Sequence, residues 1–182
     1  DGIRLAARFA DLCDLARPFG LRVDLEFMRW REVGTLAQAE TVLRRAGKSN
    51  GAILLDALHL HRSGGKPADL APLSASALRA AQLCDAGANI PQTEAEVIAE
   101  AREGRLPPGE GVLPLAELLE ALPGDVNLSV EMPFPGLEVR SRLARAFDAT
   151  RRVLAIRSQG TADRARESAT FPTRSPSGPR ET

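Results

Sequence analysis

Apolar residues at Ile3, Leu5, Phe9, Leu12, Leu15 and Ala16 return at the spacing of one helix face, so the chain opens with a predicted helix over 3–17. Pro18 and Gly20 end it, and Leu21 to Phe27 follows as a short β-like run. Thr35 is the predicted N-cap of a second helix through Leu36, Ala39, Val42 and Leu43, which Gly47 stops. The apolar run over 51–55 reads as a buried strand ending at Asp56, and 79–85 and 126–131 read as two more short strands. An amphipathic helix over 114–122, closed by Pro123 and Gly124, comes before the last strand, and a final helix is predicted over 136–154. Four short apolar strands joined by long, partly helical connections predict a parallel sheet, because parallel neighbours need a crossover of that length. The predicted class is therefore α/β.

The pattern fails after about Ile156. Residues 156–182 are rich in Arg, Ser, Thr, Pro and Gly with hardly an aliphatic side chain, too little apolar surface to offset the entropy of ordering, and are expected to be disordered behind a folded part over 1–155. The first residue is Asp rather than Met and the first helix begins at once, so the natural chain is expected to start earlier.

Composition narrows the function classes. Of 182 residues, 43% are hydrophobic, enough for one sizeable core and too few for a membrane protein. No run approaches the roughly 20 apolar residues of a spanning helix, and no signal peptide is visible at the N-terminus, so a cytoplasmic location is expected. Twenty-four basic residues balance twenty-four acidic ones, which gives no net field for nucleic acid or anionic lipid. Cys13 and Cys84 lie far apart in apolar runs and read as reduced core residues.

The candidate chemistry is a matter of position. Glu26, Asp56, Gln82 and Glu131 each fall at or just before the C-terminal end of a predicted strand, and in a parallel barrel those ends converge on one rim, where active sites are built. Three carboxylates and an amide oxygen gathered there repel one another unless a cation lies between them, and hard oxygen donors suit Mg²⁺ or Mn²⁺, with Co²⁺ a further candidate. Each acid taken singly also fits an N-cap or a solvated loop.

The stretches LRVDLEFMRW, GAILLDALHLHRSGG, AAQLCDAG, GRLPPGEGVLPLAELL and LSVEMP occur in that order. Over residues 3–154 the chain resembles the sugar phosphate isomerase/epimerase superfamily, whose fold is the xylose isomerase-like (β/α)₈ TIM barrel, and these stretches look like its last four β/α units. The resemblance implies a metal held by Glu26, Asp56, Gln82 and Glu131. Gln82 departs from the pattern, because the family usually offers a histidine there; a neutral oxygen in its place favours Mg²⁺ or Mn²⁺. The segment from Asp56 to His59 is similar to the family's Asp-x-x-His, placed in the strand-to-helix loop, and implies that His59 contacts substrate. Glu32 and Arg105 match positions that hold substrate hydroxyls, although both are residue types of exposed loops. Trp30 either lines the pocket or closes it, and His61 reads as a loop residue.

The implied activity is isomerisation or epimerisation of a small sugar or polyol, by proton transfer beside a carbonyl through a metal-stabilised enediolate, with Glu26 and Glu131 as the catalytic pair. Dehydratases of the same superfamily, acting on inososes or dehydroshikimate, are the alternative. Its zinc-dependent DNA-repair endonucleases use many histidines, and only His59 and His61 are present. With four of eight strands legible, two further arrangements stay open: a non-catalytic fragment of a longer protein, or a homo-oligomer in which two copies close a barrel-like sheet.

Overall fold

The computed structural model describes residues 2–134 and 136–169, with side chains in the last helix as far as residue 155. Helix α1, Gly2–Ala16, ends in a 3₁₀ turn at Arg17–Phe19 and leads into strand β1, Val23–Glu26. Helix α2, Leu36–Ala46, begins at a capping box in which the Thr35 hydroxyl accepts from the Gln38 amide and the Gln38 side chain accepts from the Thr35 amide. Such a cap contributes about 1 kcal/mol, and Gly47 ends the helix at φ 61°. Strand β2, Gly51–Asp56, runs directly into helix α3, Ala57–Arg62. After short 3₁₀ turns come strand β3, Leu78–Leu83, helix α4, Glu94–Glu103, helix α5, Leu115–Ala121, strand β4, Asn127–Val130, and helix α6, Val139–Ala169.

The four strands form one parallel sheet in the order β1-β2-β3-β4, with Asp56 opposite Gln82 in the β2–β3 register. Because side chains alternate along a strand, each strand divides its residues between two faces. Leu25, Ile53, Leu55, Ala81, Leu83 and Leu128 join the core made with α1, α2 and α5, including Phe9, Cys13, Ala39, Val42, Leu118 and Leu119. The next residue along from Leu25, Leu55 and Ala81 puts Glu26, Asp56 and Gln82 on the opposite face. The expected α/β class and parallel sheet are observed.

Several local expectations change. The segment expected as a strand-to-helix loop after Asp56 is helix α3, which carries both His59 and His61. Helix α4 was not delineated from the sequence. Helix α6 runs from Val139 to Ala169; side chains beyond residue 155 and all of 170–182, where the disordered tail is expected, lie outside the described residues. Among the described residues no helix is long and apolar enough to cross a membrane.

Gly51 marks how closely α1 packs on the sheet: a Cβ there would lie 2.8 Å from Phe9 Cε1 and 3.2 Å from Cys13 Sγ. Gly51→Ala is expected to lower stability by about 1–3 kcal/mol through this overpacking. Equilibrium urea unfolding checks this, and an unchanged midpoint would contradict the tight α1–β2 contact.

Candidate functional site

Asp56 ends β2 and is wholly buried. Its Oδ1 accepts the His59 backbone N–H at 3.0 Å and so caps α3. Its Oδ2 accepts from Arg105 Nη1 at 2.6 Å. The N-cap reading of this acid is realised, and the same residue belongs to the carboxylate group at the strand ends. Glu26 ends β1, and its Oε1 lies 3.7 Å from His59 Nε2. Glu26, Asp56 and His59 each offer a ligand atom, all within 4.8 Å of one another.

His59 was expected to touch substrate, and the geometry places it among the possible ligands. Trp30 and His59 meet in a T-shaped pair, ring centroids 5.1 Å apart at 78°, so Trp30 walls the cluster.

Glu131 follows β4 directly, its backbone N–H bonded to the Leu83 carbonyl. Its side chain is 40% exposed and reaches the cluster through Arg105 Nη2, 3.3 Å away. The Gln82 side chain lies beside Glu131 and favours its charged form. Gln82 Oε1 is buried with no hydrogen-bond partner among the described residues.

Arg105, implied by the resemblance to hold substrate hydroxyls although its residue type is that of an exposed loop, is buried against the carboxylates. It is 2% exposed, and besides Asp56 and Glu131 its guanidinium meets the Ala101 carbonyl, through Nε at 2.8 Å, and Cys84 Sγ at 3.2 Å. Glu32 departs in the other direction. It is exposed in a groove of about 450 Å³ between α1 and α2, with Gly2, Leu5, Gln38 and Thr41, and is not brought to the carboxylates. Asp85, a buried acid that holds a loop beside the cluster, is not distinguished by the sequence, because Asp-Ala-Gly resembles an ordinary turn. A larger groove of about 560 Å³ is lined by Arg29, Arg31, Gln38, His61 and Ser63, outside the carboxylate group.

The electrostatics follow from crowding away from water. Burial, then the charges of Asp56 and Glu131, push the Glu26 carboxyl up to about 7 against the opposing pull of Arg105. Burial also raises Glu131, with Arg105 opposing and Asp56 adding to the rise. His59 is lowered, by burial first, with Arg105 adding to the fall and Asp56 opposing it. The Cys84 thiol is pushed up to about 12 by burial and by Asp56, which makes it an inert packing residue. Burial works against the charge of Arg105, but Asp56, Cys84 and Glu131 outweigh it, and the guanidinium stays charged.

Clustered carboxylates, a buried oxygen without a donor and an imidazole whose pKa burial lowers are groups that could hold a divalent cation. The set stands at the C-terminal ends of parallel strands, where α/β folds build their sites. The sequence model of the family described as xylose isomerase-like TIM barrel matches residues 3–154, and the chain belongs to that family. A 3-dehydroshikimate dehydratase of Pseudomonas aeruginosa is 30% identical over 154 residues, 82% of this chain and 24% of that protein. An inosose isomerase of Halalkalibacterium halodurans is 28% identical over 114 residues, 62% of this chain and 38% of that protein. Among solved structures, the IolI protein with a bound zinc atom superimposes with a TM-score of 0.72 at 23% identity, covering 85% of this chain and 55% of that one. The chain thus spans well under half the length of either relative.

The raised Glu26 pKa makes stability depend on pH in a definite direction. Between its ordinary value of 4.5 and about 7 the folded state holds a proton that the unfolded state has lost, so its contribution is present below 4.5 and disappears as pH rises through 7. His59, with its lowered value, works in the opposite direction, which makes a comparison between variants necessary. In EDTA, the wild type is expected to lose roughly 2 kcal/mol relative to Glu26→Gln between pH 4.5 and 8, several degrees in Tm. Thermal melts across that range measure it; parallel curves would show that Glu26 is not crowded.

Proposed function

We propose that this chain carries the metal and proton-transfer residues of a divalent-metal-dependent isomerase or epimerase acting on a small sugar or polyol. The convergence of Glu26, Asp56 and His59, with Glu131 and Arg105 beside them, is the observation that supports this reading most directly. Glu26, Asp56 and His59 would hold the cation, with Glu131 and Gln82 completing its surroundings. Mn²⁺ and Mg²⁺ suit the oxygens, while the imidazole nitrogen brings Co²⁺ and Zn²⁺ into competition.

A bound cation would polarise a substrate carbonyl and so acidify the neighbouring C–H. Glu26 and Glu131 belong to the ends of β1 and β4, the two outer strands of the four-strand sheet, and so approach a molecule over the rim from different sides. A carboxyl raised toward neutrality accepts and returns a proton near physiological pH, the property required of a general base. Arg105 orients Asp56 and Glu131 and supplies positive charge facing the developing oxyanion.

Dehydration is the second reading. Identity to the 3-dehydroshikimate dehydratase favours it, and it shares the first step, removal of a proton next to a carbonyl.

Calorimetric titration with Mn²⁺ is expected to give stoichiometric binding, weakened about a hundredfold or more by Glu26→Ala and about tenfold by Glu131→Ala. Absence of Mn²⁺ binding by the folded protein would remove the metal reading. With binding in hand, incubation with ketoses and inososes in D₂O separates the two activities by NMR. Deuterium at the carbon beside the carbonyl with an intact skeleton indicates isomerase or epimerase; an α,β-unsaturated product indicates dehydratase.

A further inference from the structure

Asp85 is 1% exposed, and each of its carboxylate oxygens is occupied by backbone amides. Oδ1 accepts the N–H groups of Ala86 and Leu113, both at 2.9 Å, and Oδ2 accepts that of Gly109 at 3.0 Å. Its own backbone forms a two-way bridge with Leu106, each N–H donating to the other residue's carbonyl at 2.8 Å. One residue therefore grips the 106–113 loop at three points, immediately after the arginine that lies between the rim carboxylates.

The loop is shaped to that carboxylate. Pro107 and Pro108 are fully buried and have no N–H to offer, so the first side-chain bond comes from Gly109, at φ +82°. A Cβ on Gly111 would collide with Asp85 Oδ1 and the Ala86 carbonyl, so only glycine lets the chain pass there. At the far side of Arg105, Nε is held by the Ala101 carbonyl at the end of α4. The guanidinium is thus fixed by a helix end before it and by Asp85 after it.

We propose that Asp85 is the positioning residue for Arg105: its amide-bound carboxylate sets the loop directly after Arg105 and so places the guanidinium between Asp56 and Glu131. An ordinary loop staple would stabilise the fold without controlling the guanidinium. Asp85→Asn separates the two roles, because the new amide is isosteric and its NH₂ group faces a backbone N–H, donor against donor. Its effect must pass through Arg105.

The first arm is NMR of the metal-free protein. The Arg105 Nε–H signal is expected to be distinct and slow to exchange in the wild type, and in folded Asp85→Asn to move toward free arginine and exchange about tenfold faster or more. Thr93→Ala, which removes the α4 cap and so controls for general destabilisation, is expected to leave it in place. If Asp85→Asn fails to fold, Gly109→Ala breaks the same grip through its positive φ and a Cβ 2.8 Å from Val153, and is read in the same way.

The second arm rests on the proposed metal site. Asp85→Asn is expected to shift the Mn²⁺ Kd about tenfold, and to shift it less than about twofold in an Arg105→Gln background. An unmoved Arg105 signal in the folded variant, or a Kd shift that persists undiminished in Arg105→Gln, would overturn the proposal. The first arm needs no metal, so its outcome stands even if the metal reading fails.

Discussion

The ion pair between Asp56 and Arg105, 2.6 Å apart with side chains 0% and 2% exposed, is the contact on which the rim depends. Burying two charges costs several kcal/mol per ion unless every polar group on them finds a partner, and removing one partner of such a pair costs roughly 3–5 kcal/mol. Here the requirement is met: Asp56 also receives the His59 amide, and Arg105 also reaches Ala101, Cys84 and Glu131. The pair thereby joins the ends of β2 and β4 to the C-terminus of α4, three pieces of chain that no strand pairing brings to one point. It does not neutralise the site. Glu26, Asp56 and Glu131 set against one arginine leave two negative charges when all are ionised, which one divalent cation would balance. Without that cation Glu26 keeps its proton toward neutrality, first because burial disfavours its charge and then because Asp56 and Glu131 repel it.

How far the sequence could be read depended on whether a residue's surroundings are local. The alternation that places Leu55 in the core also places Asp56 on the other face, so the strand-end acids were legible from period alone. Helix α2 announced itself through Thr35 and Gly47, whose roles are fixed by residues within one turn. Helix α3 gave no such signal. It has six residues, five of them buried, and a segment covered on nearly all sides has no amphipathic period. Helix α4 is rich in Glu and turns only Val97 and Ala101 fully inward, too thin a stripe to recognise. Asp85, and the burial of Arg105, were illegible for a different reason. An arginine before two prolines has the composition of a loop, and its burial is decided by Asp56, 49 residues earlier. Glu32 carried the right spacing from Glu26, but spacing along an irregular loop does not fix direction, and the loop turns it toward α1 and α2.

The edges of the sheet bear on how this rim can work. Among the described residues β1 and β4 each pair on one side only, and β4 is mostly exposed. Exposed apolar side chains follow the flanking helices, with Ile3, Leu12 and Leu15 on α1 and Val139, Leu143 and Phe147 on α6. All four residues expected from the sequence to hold a metal, and His59 with them, nevertheless lie between those edges. The candidate ligand set is therefore local to these strands, whereas the mostly exposed β4 leaves the space beside Glu131 open to water. That distinction separates the two proposed chemistries. Both begin with loss of a proton beside a carbonyl and need only the carboxylates and a cation. They diverge afterwards, since an epimerase must return the proton before a neighbouring hydroxyl leaves, and a dehydratase must help that hydroxyl depart. Glu26 is 22% exposed and Glu131 40%, so they differ most in their access to water. The carboxyl that stays drier holds its proton more firmly and is the better candidate to deliver it to a leaving hydroxyl. On the proposed function, then, the choice between isomerisation and dehydration turns on the water around Glu131 at the end of β4 more than on the identity of the candidate ligands.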